Sequence, residues 1–253
     1  MCLITFNWRN HHRYKLILVA NRDEFFGRPT APLHQWENGV YAGKDLKGGG
    51  TWMGLHPSGK FAALTNYRDL DNLKEQPISR GKLVKDFLES DMAPKEYLER
   101  VKVKKDDYDG FNLLVGDGEQ LWYYSNYAPS VEMVLPGLHG LSNALLDVPW
   151  KKVVDGKRRL AKQIQLGGLS MKDLAAVQYS QVEDKPENLP KTGVTIEVEQ
   201  ALSAAFIRDI QGYGTVNVSV LLWGVDGEVR FLEQQVNKNG IISSEEKLSF
   251  FMT

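Results

Sequence analysis

The order of apolar patterns along the chain predicts an α+β fold in which antiparallel sheets pack between helical layers. Strand-like runs fill the first third, then helical spacings appear, and strands, helices and strands follow in blocks. A parallel doubly wound sheet would instead alternate strand and helix strictly. The run Lys15 to Ala20 is apolar almost throughout, which requires cover on both of its faces.

The first two strands are Leu3 to Phe6 and Lys15 to Ala20, joined by the polar Trp8 to Arg13 segment as a hairpin. Gly48-Gly49-Gly50 is read as a flexible hairpin loop, and His56-Pro57-Ser58-Gly59 turns the chain between strands at 51–55 and 61–66. Ser79 is placed as the cap of a helix carrying Leu83, Val84, Phe87 and Leu88, and Pro94 opens a second helix with Tyr97, Leu98 and Val101. Strands return at 111–115, 121–125 and 131–135. A basic amphipathic helix runs from Trp150 to Ile164, and Ser170 starts another. Residues 181–195 read as an exposed loop inside one domain spanning 1–253. The chain closes with a hairpin, 215–223 and 227–233, and a strand at 248–252.

Composition narrows the functional classes. The 253 residues can bury a substantial core, and 31 basic against 32 acidic side chains leave no bulk field for nucleic acid or an anionic membrane. Trp122-Tyr123-Tyr124 is accordingly read as a strand, not a base-stacking platform. One cysteine excludes an intramolecular disulfide framework. The expectation is a cytoplasmic protein without a membrane span or signal peptide. The five histidines form no metal-ligand spacing, and Gly-x-Ser-x-Gly is missing.

That single cysteine is Cys2. If Met1 is removed, Cys2 holds a thiol and an α-amine that titrates near neutrality, so nucleophile and base share one residue. The competing reading is a small buried hydrophobe. Asn21-Arg22-Asp23-Glu24 follows the second strand, with Arg22 and Glu24 on one side and Asn21 and Asp23 on the other. A hairpin of the first two strands brings Asp23 beside Cys2. Asn66 and Asn143 each end an apolar stretch, where an amide can stabilise an oxyanion or serve as a turn residue.

Taken together, several motifs resemble one family. They are Met1-Cys2, Ala20-Asn21-Arg22-Asp23-Glu24-Phe25, Gly49-Gly50-Thr51-Trp52-Met53-Gly54 and Ala63-Leu64-Thr65-Asn66-Tyr67. Gly110-Phe111-Asn112-Leu113, Gly140-Leu141-Ser142-Asn143-Ala144-Leu145, Pro149-Trp150-Lys151-Lys152 and Gly212-Tyr213-Gly214-Thr215 complete the series. The chain is similar to the NRDE, or transport and Golgi organization protein 2, family of the N-terminal nucleophile hydrolase superfamily. That resemblance implies a four-layer αββα sandwich with Cys2 as nucleophile, Asp23 as its orienting carboxylate, and Asn143 and Asn66 as oxyanion donors. It adds Asn21, Arg22, Glu24, Thr51 and Trp52 as supporting or ligand-binding residues. Two positions depart from the pattern. Ala20 stands where the acylases carry an arginine, and Val216 stands where relatives often read Gly-Thr-Arg.

The function expected from these readings is a cysteine amidohydrolase or acylase that cleaves an amide or related acyl bond of a small molecule without a cofactor. The alternative is a non-catalytic carrier of haem or an acyl-CoA-like ligand on the same fold. No nucleic-acid partner is expected in either case.

Overall fold

A computed structural model describes residues 2–167 and 169–253; Met1, and with it the question of its removal, lies outside the described residues. The chain opens with β1 (Cys2–Trp8), β2 (Tyr14–Phe25), β3 (Thr30–Gln35), β4 (Tyr41–Asp45), β5 (Met53–His56) and β6 (Lys60–Asn66). Helices α1 (Gly81–Glu89) and α2 (Pro94–Val103) follow, then β7 (Phe111–Gly116), β8 (Leu121–Ser125), β9 (Glu132–Met133) and β10 (Gly137–Leu141). Next come α3 (Lys151–Gln165), α4 (Met171–Ala176) and α5 (Ile196–Leu202), and the closing strands are β11 (Tyr213–Gly224), β12 (Glu228–Val236) and β13 (Ile242–Phe251).

Among the described residues the strands form two antiparallel sheets, ordered β10-β1-β2-β11-β12-β13 and β3-β4-β5-β6-β7-β8-β9. Period-two alternation explains how they stack. Ile4, Phe6, Leu16, Leu18 and Phe231 of the first sheet meet Met53, Phe61, Ala63 and Leu114 of the second. The opposite parity of the first sheet, Ile17, Val19, Val218 and Val220, packs on Leu160 of α3 and Leu174 of α4. Ala62, Leu64, Leu113 and Val115 of the second sheet pack on Leu83, Val84, Phe87, Leu98 and Val101 of α1 and α2. Helix, sheet, sheet and helix are the four layers of an αββα sandwich.

Several local expectations are corrected. Asn21 to Glu24 lie within β2 and not beyond its end: Asn21 and Arg22 still pair with Leu3 and Cys2 of β1, and β11 goes on to pair with Asp23 and Glu24 after β1 has stopped. Ser79 does not cap α1; Arg80 holds that position, without a side-chain cap. The expected strand at 131–135 shrinks to Glu132–Met133. The Gly48-Gly49-Gly50 loop is fixed in place: Asp45 accepts the Lys47 and Gly48 N–H groups, and a Cβ on Gly50 would collide with the Gly81 backbone. That close approach seats the loop on the start of α1. Ser170, by contrast, caps α4 as expected, accepting the Asp173 N–H at 3.1 Å.

Candidate active site

A cleft of about 260 Å³ opens where the start of β1 meets the 77–81 segment and the ends of β4, β6 and β12. Cys2 and Arg22 line it as direct cross-strand partners, with Asp23, Glu24 and Asn66 in the same wall. Thr51 and Trp52 contribute from the loop before β5. The hairpin and the facing sheet therefore gather seven of the nine residues expected from sequence in one cleft.

Cys2 is 7% exposed, and Ser142 Oγ donates to its carbonyl at 3.1 Å. Burial pushes its thiol above the ordinary value, and the Asp23 charge pushes the same way. Arg22 and the Asp23 backbone N–H, which hydrogen-bonds the sulfur, favour the thiolate. Asp23 is buried and accepts from Thr215 Oγ1 at 2.7 Å, while its carbonyl accepts from the Tyr213 hydroxyl at 2.9 Å. Burial raises the Asp23 carboxyl pKa; the charges of Lys152 and Arg22 and the Thr215 hydrogen bond act against that rise.

Asn143 and Asn66 occupy different layers of the site. Asn66 stands in the cleft wall. Asn143 is fully buried and does not reach that wall: its Nδ2 donates to the Asn66 carbonyl at 2.9 Å, and its Oδ1 accepts from Ser142 Oγ at 3.2 Å. Asn143 thus holds the end of β6, and with it Asn66, against the 142–146 segment. Asn21 is also absent from the wall; its amide spans to the Gln178 and Ala205 carbonyls at 3.0 and 2.6 Å and ties β2 to the helical layer. Glu24 is shared by Arg22 at 3.5 Å and Arg28 at 3.7 Å, and Arg28 continues to Asp45 at 2.6 Å. Thr51 Oγ1 donates to the Met53 carbonyl at 3.1 Å, which fixes the loop that carries Trp52.

Four further residues were not singled out by sequence reasoning. Lys152 of α3 is 3% exposed, and its Nζ donates to the Leu202 carbonyl at 2.9 Å. Burial and the nearby Arg68 bring its pKa down to about 8, against the opposing pull of Asp23, Cys2 and Glu199. It sits in the Pro149-Trp150-Lys151-Lys152 motif, so a signal was present. Arg80 lines the cleft and donates to the Gly110 carbonyl at 2.9 Å. Thr215 belongs to the Gly212-to-Thr215 motif. Glu233 is 2% exposed and lies on the parity of Val229 and Phe231, the face turned to the other sheet. A charge at an apolar phase of a strand was its signal.

The two departures from the acylase pattern have clear positions. Ala20 packs in the inter-sheet core, and Val216 lies at the register break between Thr215 and Asn217. The side-chain positive charges that act on Cys2 or Asp23 come instead from Arg22 and Lys152. Among the described residues no group of three or more His, Cys, Asp or Glu could hold a metal ion. No helix among them is long and apolar enough to cross a membrane.

The model of the family described as Transport and Golgi organisation 2 matches residues 1–238. The bovine Transport and Golgi organization protein 2 homolog is 37% identical, with 93% of each chain covered. The chain belongs to the Transport and Golgi organisation 2 family. The human homolog of that family is 36% identical, again over 93% of both chains, and the Drosophila melanogaster protein 29% identical over 92% of both. Among solved structures, a Caenorhabditis elegans N-acylethanolamine-hydrolyzing acid amidase ortholog aligns with a TM-score of 0.48 at 11% identity, covering 87% of this chain and 92% of that one. The C2A mutant of a conjugated bile acid hydrolase from Clostridium perfringens aligns with a TM-score of 0.44 at 11% identity, covering 100% and 92%. The motifs quoted above all fall within the span of the family match.

Proposed function

We propose that this family member is a cysteine-nucleophile acyl hydrolase that cleaves an amide or related acyl bond of a small molecule. The observation that carries the reading is the position of Cys2. It is the only thiol in the chain, it opens a strand paired on both sides, and it lines a cleft beside Arg22, Asp23 and Asn66.

The chemistry follows from those groups. With Met1 removed, the α-amine of Cys2 takes the thiol proton, and the sulfur attacks the acyl carbon. Asn66, in the cleft wall, donates to the developing oxyanion. The C–N bond breaks, the proton passes from the ammonium to the departing amine, and the acyl group stays on sulfur as a thioester. Water then adds to the thioester, with the α-amine again as base, and releases the acid. Asp23 holds the ammonium form of the amine through its negative charge. Lys152 supplies a compensating positive charge, which opposes the rise that burial imposes on the Asp23 pKa.

The test has two parts. Intact mass spectrometry reads whether Met1 is present, and the rate of iodoacetamide labelling of Cys2 is then followed against pH in wild type and Asp23→Asn. The proposal expects a processed N-terminus and a labelling profile that shifts in Asp23→Asn. A retained methionine, or identical profiles with an ordinary thiol midpoint near 8.5, defeats it. Ligand binding that survives in Cys2→Ser, with no turnover in wild type, would favour the carrier.

A further inference from the structure

The register of the first sheet runs a polar row away from Cys2. Cys2 pairs with Arg22, Arg22 with Asn217, and Asn217 with Gln235, and all four line the cleft. The adjacent row places Ala20, Ser219 and Glu233 side by side. With strands about 4.8 Å apart, the cleft floor reaches about 15 Å from Cys2 before it meets Glu233.

Glu233 is set there with one oxygen engaged and one available. Its Oε1 accepts from the Leu33 N–H at 2.8 Å and from Gln235 Nε2 at 2.6 Å, while Oε2 has no donor among the described residues. A Cβ at Gly43 would come to 3.4 Å from Oε2, so the bare glycine keeps space beside it. Asn217 Oδ1, on the same floor, is a second acceptor without a donor among the described residues. The charged groups around Glu233 are Arg22 on β2, Lys44 on β4 and its cross-strand partner Glu246 on β13. Arg22 is already held by Glu24, and Lys44 lies over the Trp36 ring at 5.0 Å. A buried carboxylate with an open oxygen and no ion pair among the described residues calls for a cation from outside the chain.

We propose that the end of the cleft remote from Cys2 is a subsite for a primary ammonium group, with Glu233 as its charge partner. The substrate class this assigns to the site, an elongated acyl compound with an amine at its far end, rests on the Cys2 reading above. The subsite itself does not. Burial raises the Glu233 pKa to about 7, so the subsite gains its negative charge as pH rises through neutrality, while an alkylammonium stays protonated.

Three bromoacetamides of matched length test this on the wild-type chain, with hexyl tails ending in an ammonium, a carboxylate or a methyl. Each alkylates the single cysteine, and the rates are read by intact mass. The ammonium reagent is expected to label Cys2 at least about tenfold faster than the carboxylate reagent at pH 8. The preference should collapse below pH 6 in wild type and at every pH in Glu233→Gln. Equal rates at pH 8, or a preference that survives Glu233→Gln or acid, overturns the subsite. If none of the reagents labels Cys2, the nucleophile reading fails. Calorimetry with N-acetyl-1,6-diaminohexane then decides the subsite alone, which requires binding in wild type that is lost in Glu233→Gln and is refuted by no binding or equal binding.

Discussion

Thr215 of β11 donates its hydroxyl to Asp23 of β2 at 2.7 Å, and the same oxygen accepts the Ile207 N–H at 2.9 Å. One side chain therefore satisfies a buried carboxylate and a buried backbone donor at once. Thr215→Val keeps the shape and removes both interactions. We expect a loss of about 2–3 kcal/mol in urea unfolding, together with a slower Cys2 labelling rate near neutral pH. Unchanged stability would mean that the pairing contributes little.

Glu233 makes stability depend on pH in a stated direction. Its carboxyl binds the proton more tightly folded than unfolded, because its pKa rises from 4.5 to about 7. The associated stability is complete below 4.5 and is lost as pH climbs through 7, which amounts to about 3 kcal/mol. Glu233→Gln should remove that slope between pH 5 and 8 and be the more stable protein at pH 8. Chemical denaturation at a series of pH values checks it, and parallel curves for the two proteins would refute it.

Arg68 and Glu199 form a buried ion pair at 2.6 Å, with the side chains 3% and 2% exposed. Glu199→Leu removes the carboxylate from beside the buried guanidinium and should cost about 3–5 kcal/mol, whereas the double replacement Arg68→Met/Glu199→Leu should cost much less than the two single losses summed. A double-mutant cycle read by thermal unfolding measures this. Additive losses would argue that the two charges do not depend on each other.

Asn112 anchors the segment that carries Asn143. Its Nδ2 donates to Thr65 Oγ1 at 3.1 Å and to the Ala144 carbonyl at 3.0 Å, and its Oδ1 accepts from the Tyr123 hydroxyl at 2.7 Å. Asn112→Ala leaves several buried polar groups without partners, so a loss of about 3 kcal/mol or more is expected. Hydrogen exchange should also rise selectively at residues 142–146. Protection equal to wild type there would contradict the anchoring role.

The strands that hold Cys2 and Asp23 were legible because their apolar runs are unambiguous and the hairpin register follows from them. The same holds for Leu83, Val84, Phe87 and Leu88, whose spacing is helical and whose burial in α1 matches it. β3 was not legible, since it is an edge strand with Pro32 inside it and all but one of its side chains exposed or half-exposed. β10 was hidden by Gly137 and Gly140, and α5 by Ile-Glu-Val-Glu, which alternates like a strand. Within the site, the resemblance named Asn143, but only tertiary geometry separates Asn66 in the wall from Asn143 behind it. The burial of Lys152 was out of reach for a related reason: its neighbours in the basic face of α3 are solvated, and the layer over it comes from residues 199–202, remote in sequence.

The proposed hydrolysis requires Cys2 to form a covalent acyl-enzyme. Intact mass spectrometry of the Met1-processed protein, quenched in acid within seconds of mixing with an activated p-nitrophenyl ester, tests it most directly. The expected result is a mass increase of one acyl group that maps to Cys2, decays with the hydrolysis rate, and is absent from Cys2→Ala. An unmodified Cys2 under conditions where product still accumulates would contradict it.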